Sequence, residues 1–114
     1  MLLNKGRYEG GRILSRPSVE LMTTDHLTPA QKAGNEIFLG SGGWGFGLAV
    51  GSRRDDLATR PGRFGWTGGL GTTAYTDPAE DLVGVLLTQC AVASPQHPRV
   101  FQDFWTTAYA AIDD

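Results

Sequence analysis

The segment from Leu82 to Thr88 constrains the fold more than any other, because it is nearly all apolar over the length of one strand. A strand with apolar residues at successive positions is buried on both faces, which predicts a central strand in a sheet with a layer on each side. One long amphipathic helix is predicted, from Pro98 to Ile112, and it covers one face of such a sheet. We therefore expect an α+β fold whose other face needs helices that these residues do not supply.

Three more strands are predicted before this run, from Trp44 to Val50, Arg63 to Thr67 and Thr72 to Thr76. In the first strand large side chains alternate with small ones, so that one face carries Trp44, Phe46, Leu48 and Val50. A charged loop from Gly51 to Gly62 and a turn from Asp77 to Asp81 are short enough to make neighbouring strands antiparallel. The closing helix has a wide apolar stripe formed by Val100, Phe101, Phe104, Trp105, Ala108, Tyr109 and Ile112.

The whole chain is predicted to be one unit with three parts: a helix and loop region at 1–43, antiparallel strands at 44–89 and the C-terminal helix at 98–112. Met1 to Asn4 is the expected last turn of a helix. Ser15 is a good N-cap for a short helix that runs through Met22. Thr23 to Gly43 is polar and rich in glycine, which indicates an irregular surface loop.

The 114 residues carry a formal charge of −2, and no stripe of basic residues occurs. Phosphate binding needs clustered lysine and arginine, so nucleic acid is not an expected partner. The apolar runs are too short to span a bilayer, for which about 20 residues are needed. Cys90 is the only cysteine, which excludes an internal disulfide, and its position after an apolar run predicts a buried structural thiol. The sequence leaves the cellular compartment open.

Motifs for nucleophilic catalysis or metal binding are not found in the sequence. None of the serines is followed by a lysine three residues on, and Gly-x-Ser-x-Gly is absent. His26 and His97 lie in predicted loops without a positioned serine or cysteine, which favours surface histidines. Spacings typical of metal ligands do not occur, and no cofactor is expected.

The stretch from Gly65 to Gly71 is unusually rich in glycine, with the sequence Gly-Trp-Thr-Gly-Gly-Leu-Gly. One interpretation is a tight turn between the second and third predicted strands, which the stretch taken alone favours. The other is a strand end whose small residues let a substrate lie close to the backbone. Amide N–H groups in such a place stabilise the oxyanion that develops during acyl transfer.

Several short pieces of sequence follow one another along the chain: Met1-Leu2-Leu3-Asn4, Gly10-Gly11-Arg12-Ile13-Leu14-Ser15, Val19-Glu20-Leu21-Met22, Gly43 to Leu48, Phe64 to Thr72, Asp77-Pro78 and Val83 to Gln89. As an ordered set they resemble the last third of the β-lactamase-like serine hydrolases. That group includes class C β-lactamases, related esterases and D-amino-acid peptidases. The resemblance implies part of a β-lactamase-like fold of the DD-peptidase and transpeptidase type.

Three motifs carry the chemistry of that family: Ser-x-x-Lys for nucleophile and base, Tyr-x-Asn for a second acid or base, and Lys- or His-Thr/Ser-Gly on a strand. Only the third has a counterpart here, in which Trp66 takes the basic position and Thr67 and Gly68 take the next two. The resemblance implies that the Gly69 amide is one oxyanion donor and that these four residues line the substrate site. It implies no catalytic nucleophile or base in this chain.

Trp66 departs from the pattern of the β-lactamases and penicillin-binding relatives, in which a cation at this position helps to hold the substrate carboxylate. Tryptophan offers instead a flat apolar face for an acyl or alcohol group. Esterases of this group carry tryptophan here, so the resemblance implies a carboxylesterase. The alternative is that the Trp66 side chain packs beneath the sheet.

Two functions remain open. The first is the C-terminal segment of a serine hydrolase, which acts on a small ester or amide only when the missing N-terminal portion or a second chain completes it. The second is a non-catalytic interaction module that forms a homodimer through an uncovered apolar sheet face. Neither involves a membrane or nucleic acid. A complete small enzyme of another kind is disfavoured, because no nucleophile–base pair, acid–base pair or metal set is present.

Overall fold

The computed structural model describes residues 1–94 and 98–113 of the chain. The elements in order are β1 (Arg7–Tyr8), β2 (Gly11–Arg12), α1 (Arg16–Met22), α2 (Pro29–Lys32), α3 (Glu36–Leu39), β3 (Gly43–Trp44), β4 (Ala49–Val50), β5 (Phe64–Gly68), β6 (Thr72–Asp77), β7 (Leu82–Leu87) and α4 (Arg99–Ala110). The predicted combination of an antiparallel sheet with a C-terminal helix is confirmed.

The main sheet has five strands in the order β3-β4-β5-β6-β7, and every neighbouring pair is antiparallel. The three strands predicted after Gly62 all form close to their predicted bounds. Their connections are short, as expected, and strand order follows chain order. In the register between β5 and β6, Thr67 lies opposite Thr73 and Gly65 lies opposite Tyr75.

The prediction of one strand from Trp44 to Val50 is wrong, because the chain turns back on itself there. Its two ends are β3 and β4, which pair with each other, and the Gly45 amide donates to the Leu48 carbonyl over 2.9 Å to close the turn. Gly47 has φ +80°, a value that glycine adopts at little cost. The alternation of large residues with glycine matches the pattern of a strand, although here the glycines form the turn of a hairpin. Phe46, predicted to lie on one strand face with Leu48 and Val50, is instead exposed at the turn.

The predicted irregular loop from Thr23 to Gly43 contains two short helices, α2 and α3. Thr28 caps α2 in a capping box, since its side chain accepts from the Gln31 amide while the Gln31 side chain accepts from the Thr28 amide. The sequence Thr-Pro-Ala-Gln carries this signal, with proline in the first turn. The segment is thus more ordered than its polar composition suggested.

The N-terminal region agrees with prediction in part. Residues 1–5 form a hydrogen-bonded turn rather than a helix, and it ends at Gly6 with φ +94°. The chain then makes the β1–β2 hairpin, with Tyr8 opposite Gly11. The predicted helix that follows is confirmed as α1, and the Ser15 side chain accepts from the Ser18 amide as its N-cap.

The helix α4 packs on one face of the sheet through a narrower stripe than predicted. Its buried side chains are Phe101, Trp105 and Tyr109, whereas Val100 and Ile112 at the ends of the predicted stripe are exposed. The Trp105 ring lies over Gly84 of β7 so closely that a Cβ at that position would overlap it. A separate apolar cluster joins Leu48, Val50 and Phe64 to Leu2.

The prediction that the strand from Leu82 to Thr88 is central is wrong, because β7 lies at the edge of the described sheet. Its side chains alternate between half-buried positions under α4 and the exposed Val83, Val85 and Leu87, which are 55%, 54% and 74% exposed. The continuous apolar run thus reflects two apolar faces, of which one lacks a covering layer in the described chain. This agrees with the expected shortage of helices.

The prediction of a buried thiol at Cys90 is also wrong. The side chain is exposed, because the segment that leaves the edge strand β7 passes over the surface rather than into a core. Among residues 1–94 and 98–113, no helix is both long enough and apolar enough to cross a membrane.

Candidate functional site

The glycine-rich stretch forms the end of β5 and a tight turn into β6. The Gly71 amide donates to the Gly68 carbonyl over 3.1 Å, and Gly71 has φ +93°. The first interpretation of this stretch, a turn between two strands, is therefore confirmed. A turn of this kind is compatible with a ligand-binding role, since backbone N–H groups at the end of a strand can lack a partner in the sheet.

The segment that follows β7 crosses this turn and holds it in place. The Val92 amide donates to the Gly69 carbonyl over 2.8 Å, and the amide and hydroxyl of Thr88 donate to the Gly71 carbonyl over 3.0 and 2.7 Å. A Cβ at Gly71 would overlap the carbonyl oxygen of Cys90. The turn is thus fixed by hydrogen bonds on its carbonyl side.

The Gly69 amide, predicted to be an oxyanion donor, has no acceptor within residues 1–94 and 98–113. Gly69 is exposed, and a Cβ built there would meet no atom within 4 Å. An exposed N–H on a turn with fixed carbonyl groups is available to an incoming acceptor without rearrangement of the backbone. The structure therefore leaves this amide open at the end of β5.

Thr67, also predicted to line the site, directs its hydroxyl into the interior. Its Oγ1 donates to the Oγ1 of Thr73 over 2.8 Å, and both side chains are buried. The hydroxyl is engaged there and is not brought together with the Gly69 amide. What this strand end offers a ligand is the backbone of Gly68 and Gly69 rather than the Thr67 side chain.

Trp66 lies in an aromatic cluster with Trp44 and Phe38. Its ring centroid is 4.8 Å from that of Trp44 in an edge-to-face arrangement and 4.9 Å from that of Phe38. Such pairs stabilise beyond the burial of their area, by about 0.5–1.5 kcal/mol each. Phe38 belongs to α3. The sequence did not predict that Phe38 contacts Trp66, because this contact depends on the fold of a segment predicted to be irregular.

A cleft of about 470 Å³, here called the α3 cleft, lies between α3, β5 and α4. Phe38 and Trp66 line it together with Arg63, Thr67, Tyr75 and Trp105. A more open concavity of about 940 Å³ beside the β1–β2 hairpin is lined by residues between Leu3 and Arg16. It contains none of the predicted site residues, so the α3 cleft is the cavity associated with the candidate site.

Buried ionisable groups surround Arg63 and Tyr75, two of the residues that line the α3 cleft. Arg63 stacks on Tyr75, and burial lowers the pKa of its guanidinium while nearby tyrosines and carboxylates oppose that effect. Tyr109 donates to the Asp77 carboxylate over 2.8 Å, and burial followed by this hydrogen bond raises the pKa of Tyr109 to about 12. Burial also raises the pKa of Tyr75. These groups were not predicted as site residues.

The two histidines give no catalytic pair in the described chain. His26 is exposed, its Nε2 lies 2.7 Å from the Leu21 carbonyl, and its ring stacks on Phe46. His97 lies outside the described residues. Among residues 1–94 and 98–113, no group of three or more histidine, cysteine, aspartate or glutamate side chains is arranged to hold a metal ion.

Comparison with known proteins assigns the chain to a family. A family model described as Beta-lactamase matches residues 3–102. The chain is 41% identical over 99 residues to two proteins of Mycobacterium tuberculosis, the uncharacterized protein MT1414 of strain CDC 1551 / Oshkosh and the protein Rv1367c of strain ATCC 25618 / H37Rv. Each alignment covers 78% of this chain and 24% of the relative, so the chain spans about a quarter of the length of these relatives. With the match extending over nearly all of its length, the chain belongs to the β-lactamase family.

Proposed function

We propose that this chain is the C-terminal segment of a serine hydrolase, and that it supplies one wall of the active site without the nucleophile. The observation that supports this most directly is the open Gly69 amide at the end of β5, in the position that the third family motif gives to an oxyanion donor. Family membership and the share of the relatives that the chain spans agree with it.

In this proposal the Gly69 amide binds the carbonyl oxygen of the substrate as negative charge develops on it. Loss of one such donor typically slows acyl transfer by a factor of about 100 to 1,000. The second donor, the serine nucleophile and its base belong to the N-terminal portion of the complete enzyme or to a second chain. The backbone of Gly68 forms the adjoining part of the wall.

We further propose that the substrate is an ester rather than a lactam. Trp66 and its neighbours Phe38 and Trp44 form an apolar aromatic surface where a lactam-binding relative places a cation. Such a surface suits the acyl or alcohol group of a small uncharged ester. A carboxylate-bearing substrate gains no charged partner from Trp66.

The test is hydrolysis of p-nitrophenyl butyrate by the purified chain, alone and mixed with the upstream portion of a family member that contains Ser-x-x-Lys and Tyr-x-Asn. We expect no hydrolysis above the buffer rate from the chain alone and clear hydrolysis from the mixture. A matched mixture with the nucleophilic serine replaced by alanine should be inactive. Clear activity of the 114 residues alone would overturn the assignment of the nucleophile to another segment.

A second candidate function is a non-catalytic interaction module, which the exposed β7 side chains Val83, Val85 and Leu87 favour. Contiguous exposed apolar surface of this kind marks interaction sites. If the chain acts in this way, light scattering shows a stable dimer. A monomer that binds no apolar dye contradicts this function.

A further inference from the structure

The β1–β2 hairpin places two arginines side by side. Arg7 of β1 lies directly opposite Arg12 of β2. Residues directly opposite in an antiparallel pair project from the same face, with Cβ atoms about 4.5–5.5 Å apart. Like charges in this arrangement destabilise a strand pair. Because the hairpin gains nothing from the pair, its presence indicates an anion that is bound between the two guanidinium groups.

The turn of the hairpin fixes this arrangement. Glu9 and Gly10 are the two residues between the strands, and they have φ +44° and +80°. Positive φ at both central residues is the property of a type I′ turn, whose twist matches that of the flanking strands. The turn type and the loop length together set the register of a hairpin. Arg7 therefore faces Arg12 before a ligand arrives.

No carboxylate neutralises the two arginines. Among residues 1–94 and 98–113, Lys5, Arg7 and Arg12 take part in no ion pair and no side-chain hydrogen bond. All three side chains are exposed. Arg16, which follows the hairpin, is paired with Glu20 over 2.5 Å. Three cations in this small region are thus available to an incoming anion.

These cations line the concavity of about 940 Å³ beside the β1–β2 hairpin, here called the hairpin concavity. Its ionisable lining consists of four cations and one carboxylate, those of Lys5, Arg7, Arg12, Arg16 and Glu9. The lining therefore has an excess of positive charge, whereas the whole chain has a formal charge of −2. The sequence showed no basic stripe, because these residues come together only when β1 pairs with β2.

The shape and the chemistry of the hairpin concavity favour an organic phosphate. Guanidinium groups form paired hydrogen bonds with phosphate oxygens, and two of them balance the two charges of a phosphate monoester. The volume is within the range of about 300–1,000 Å³ that is usual for small-molecule sites, so it holds more than a phosphate group. Leu3 and the half-exposed ring of Tyr8 give the lining an apolar part.

We propose that the hairpin concavity binds a small, soluble organic phosphate, whose phosphate group lies between Arg7 and Arg12. Lys5 contributes a third positive charge, and Tyr8 contacts the organic part of the ligand. Binding requires neither a nucleophile nor the Gly69 amide, and none of the predicted site residues lines this concavity. The site therefore goes beyond the proposed hydrolase function and stands or falls separately from it.

The test is calorimetric titration of the full 114-residue chain with phenyl phosphate and with phenol, which has the same ring but no phosphate. We expect saturable binding of phenyl phosphate at millimolar concentration, and weaker binding of phenol by a factor of about ten or more, because only the phosphate forms charge-assisted hydrogen bonds. Added salt should weaken the binding of phenyl phosphate, since exposed charges are screened.

Two variants and a control locate the site. Arg7→Gln and Arg12→Gln should each weaken phenyl phosphate binding by a factor of about ten, the loss of one charge-assisted pair. Both residues are exposed, so the substitutions leave the core intact. Arg53→Gln, at an exposed arginine that is paired with Asp55 in another loop, should leave the affinity unchanged.

Three outcomes overturn the proposal: no saturable binding of phenyl phosphate, equal affinity for phenyl phosphate and phenol, or unchanged affinity in both hairpin variants. A further titration uses vesicles that contain phosphatidic acid, whose head group is also a phosphate monoester. Binding to these vesicles without binding of phenyl phosphate would assign the arginines to a lipid surface and would likewise overturn a site for a soluble ligand.

Discussion

The indole nitrogen of Trp105 donates a hydrogen bond to the hydroxyl oxygen of Thr73 over 3.0 Å, which joins α4 to the first part of β6. Thr73 is fully buried, and the same oxygen accepts from Thr67 of β5. One hydroxyl group therefore connects the C-terminal helix to both β6 and β5. The position of β5 depends on α4 through this network as well as through apolar packing.

Replacement of Thr73 by valine should destabilise the fold, because it leaves the Trp105 N–H buried without a partner and removes the acceptor of the Thr67 hydroxyl. Each such loss costs about 1–3 kcal/mol. We expect the free energy of unfolding in urea to fall by an amount in that range or above. Thr72→Val, at an exposed position of the same strand, is the control and should change it by less than about 0.5 kcal/mol. Equal stability of the two variants would argue against the network.

Replacement of Gly71 by alanine should disrupt the turn after β5. The position has φ +93°, and the new Cβ would overlap the Cys90 carbonyl oxygen. We expect a loss of more than about 1 kcal/mol in the free energy of unfolding, since both strain and steric overlap act together. The matched control is Gly69→Ala, where the Cβ enters open space and the amide is retained. If Gly71→Ala is as stable as Gly69→Ala, the turn is not held as described.

The stability of the fold should fall as the pH rises from about 10 toward about 12. Burial and the hydrogen bond to Asp77 raise the pKa of Tyr109 in the folded chain to about 12, whereas an unfolded tyrosine has a pKa of about 10. The unfolded chain therefore loses this proton first, so the stabilisation is complete below pH 10 and is lost through the folded pKa.

Urea unfolding at several alkaline pH values measures this effect. Tyr109→Phe should reduce the pH dependence, with a part remaining because burial also raises the pKa of Tyr75. Tyr8→Phe, at an exposed tyrosine, should behave like the unmodified chain. An undiminished fall in stability for Tyr109→Phe would show that another group is responsible.

Replacement of Trp66 by lysine should change the substrate preference of the completed hydrolase. The cation would favour a substrate carboxylate and remove the aromatic face from the cluster with Phe38. We expect kcat/KM for p-nitrophenyl butyrate to fall by a factor of about ten or more, the size of effect that loss of one well-packed apolar contact produces. Trp66→Phe keeps an aromatic ring and should retain most of the activity. Equal activity of both variants would contradict a role for Trp66 in ester binding.

Regular alternation and local caps were enough to predict much of the fold. The strands β5, β6 and β7 and the helices α1 and α4 all follow from patterns within their own segments, such as the Ser15 cap. The hairpin around Gly47 was missed because glycines in alternate positions satisfy a strand pattern and a turn equally well. The α2 helix was missed although Thr28 and Gln31 carry its capping signal.

The candidate site was less predictable than the fold. Trp66 and the Gly69 amide could be proposed as site residues from the sequence because the stretch containing them is contiguous. The contact of Phe38 with Trp66, and the stacking of Arg63 on Tyr75, join segments that no short-range pattern relates. The exposure of Cys90 and the edge position of β7 likewise depend on which strands are neighbours in the sheet, which periodicity does not specify.

The outward face of β7 has a consequence for the amount of this chain that a cell can maintain. Extended apolar residues such as Val83, Val85 and Leu87 are what chaperones retain and what promotes aggregation when they stay uncovered. A segment or partner that covers these side chains would reduce binding by chaperones and degradation by quality-control proteases. The steady-state level of the protein should therefore rise when a segment or partner covers β7.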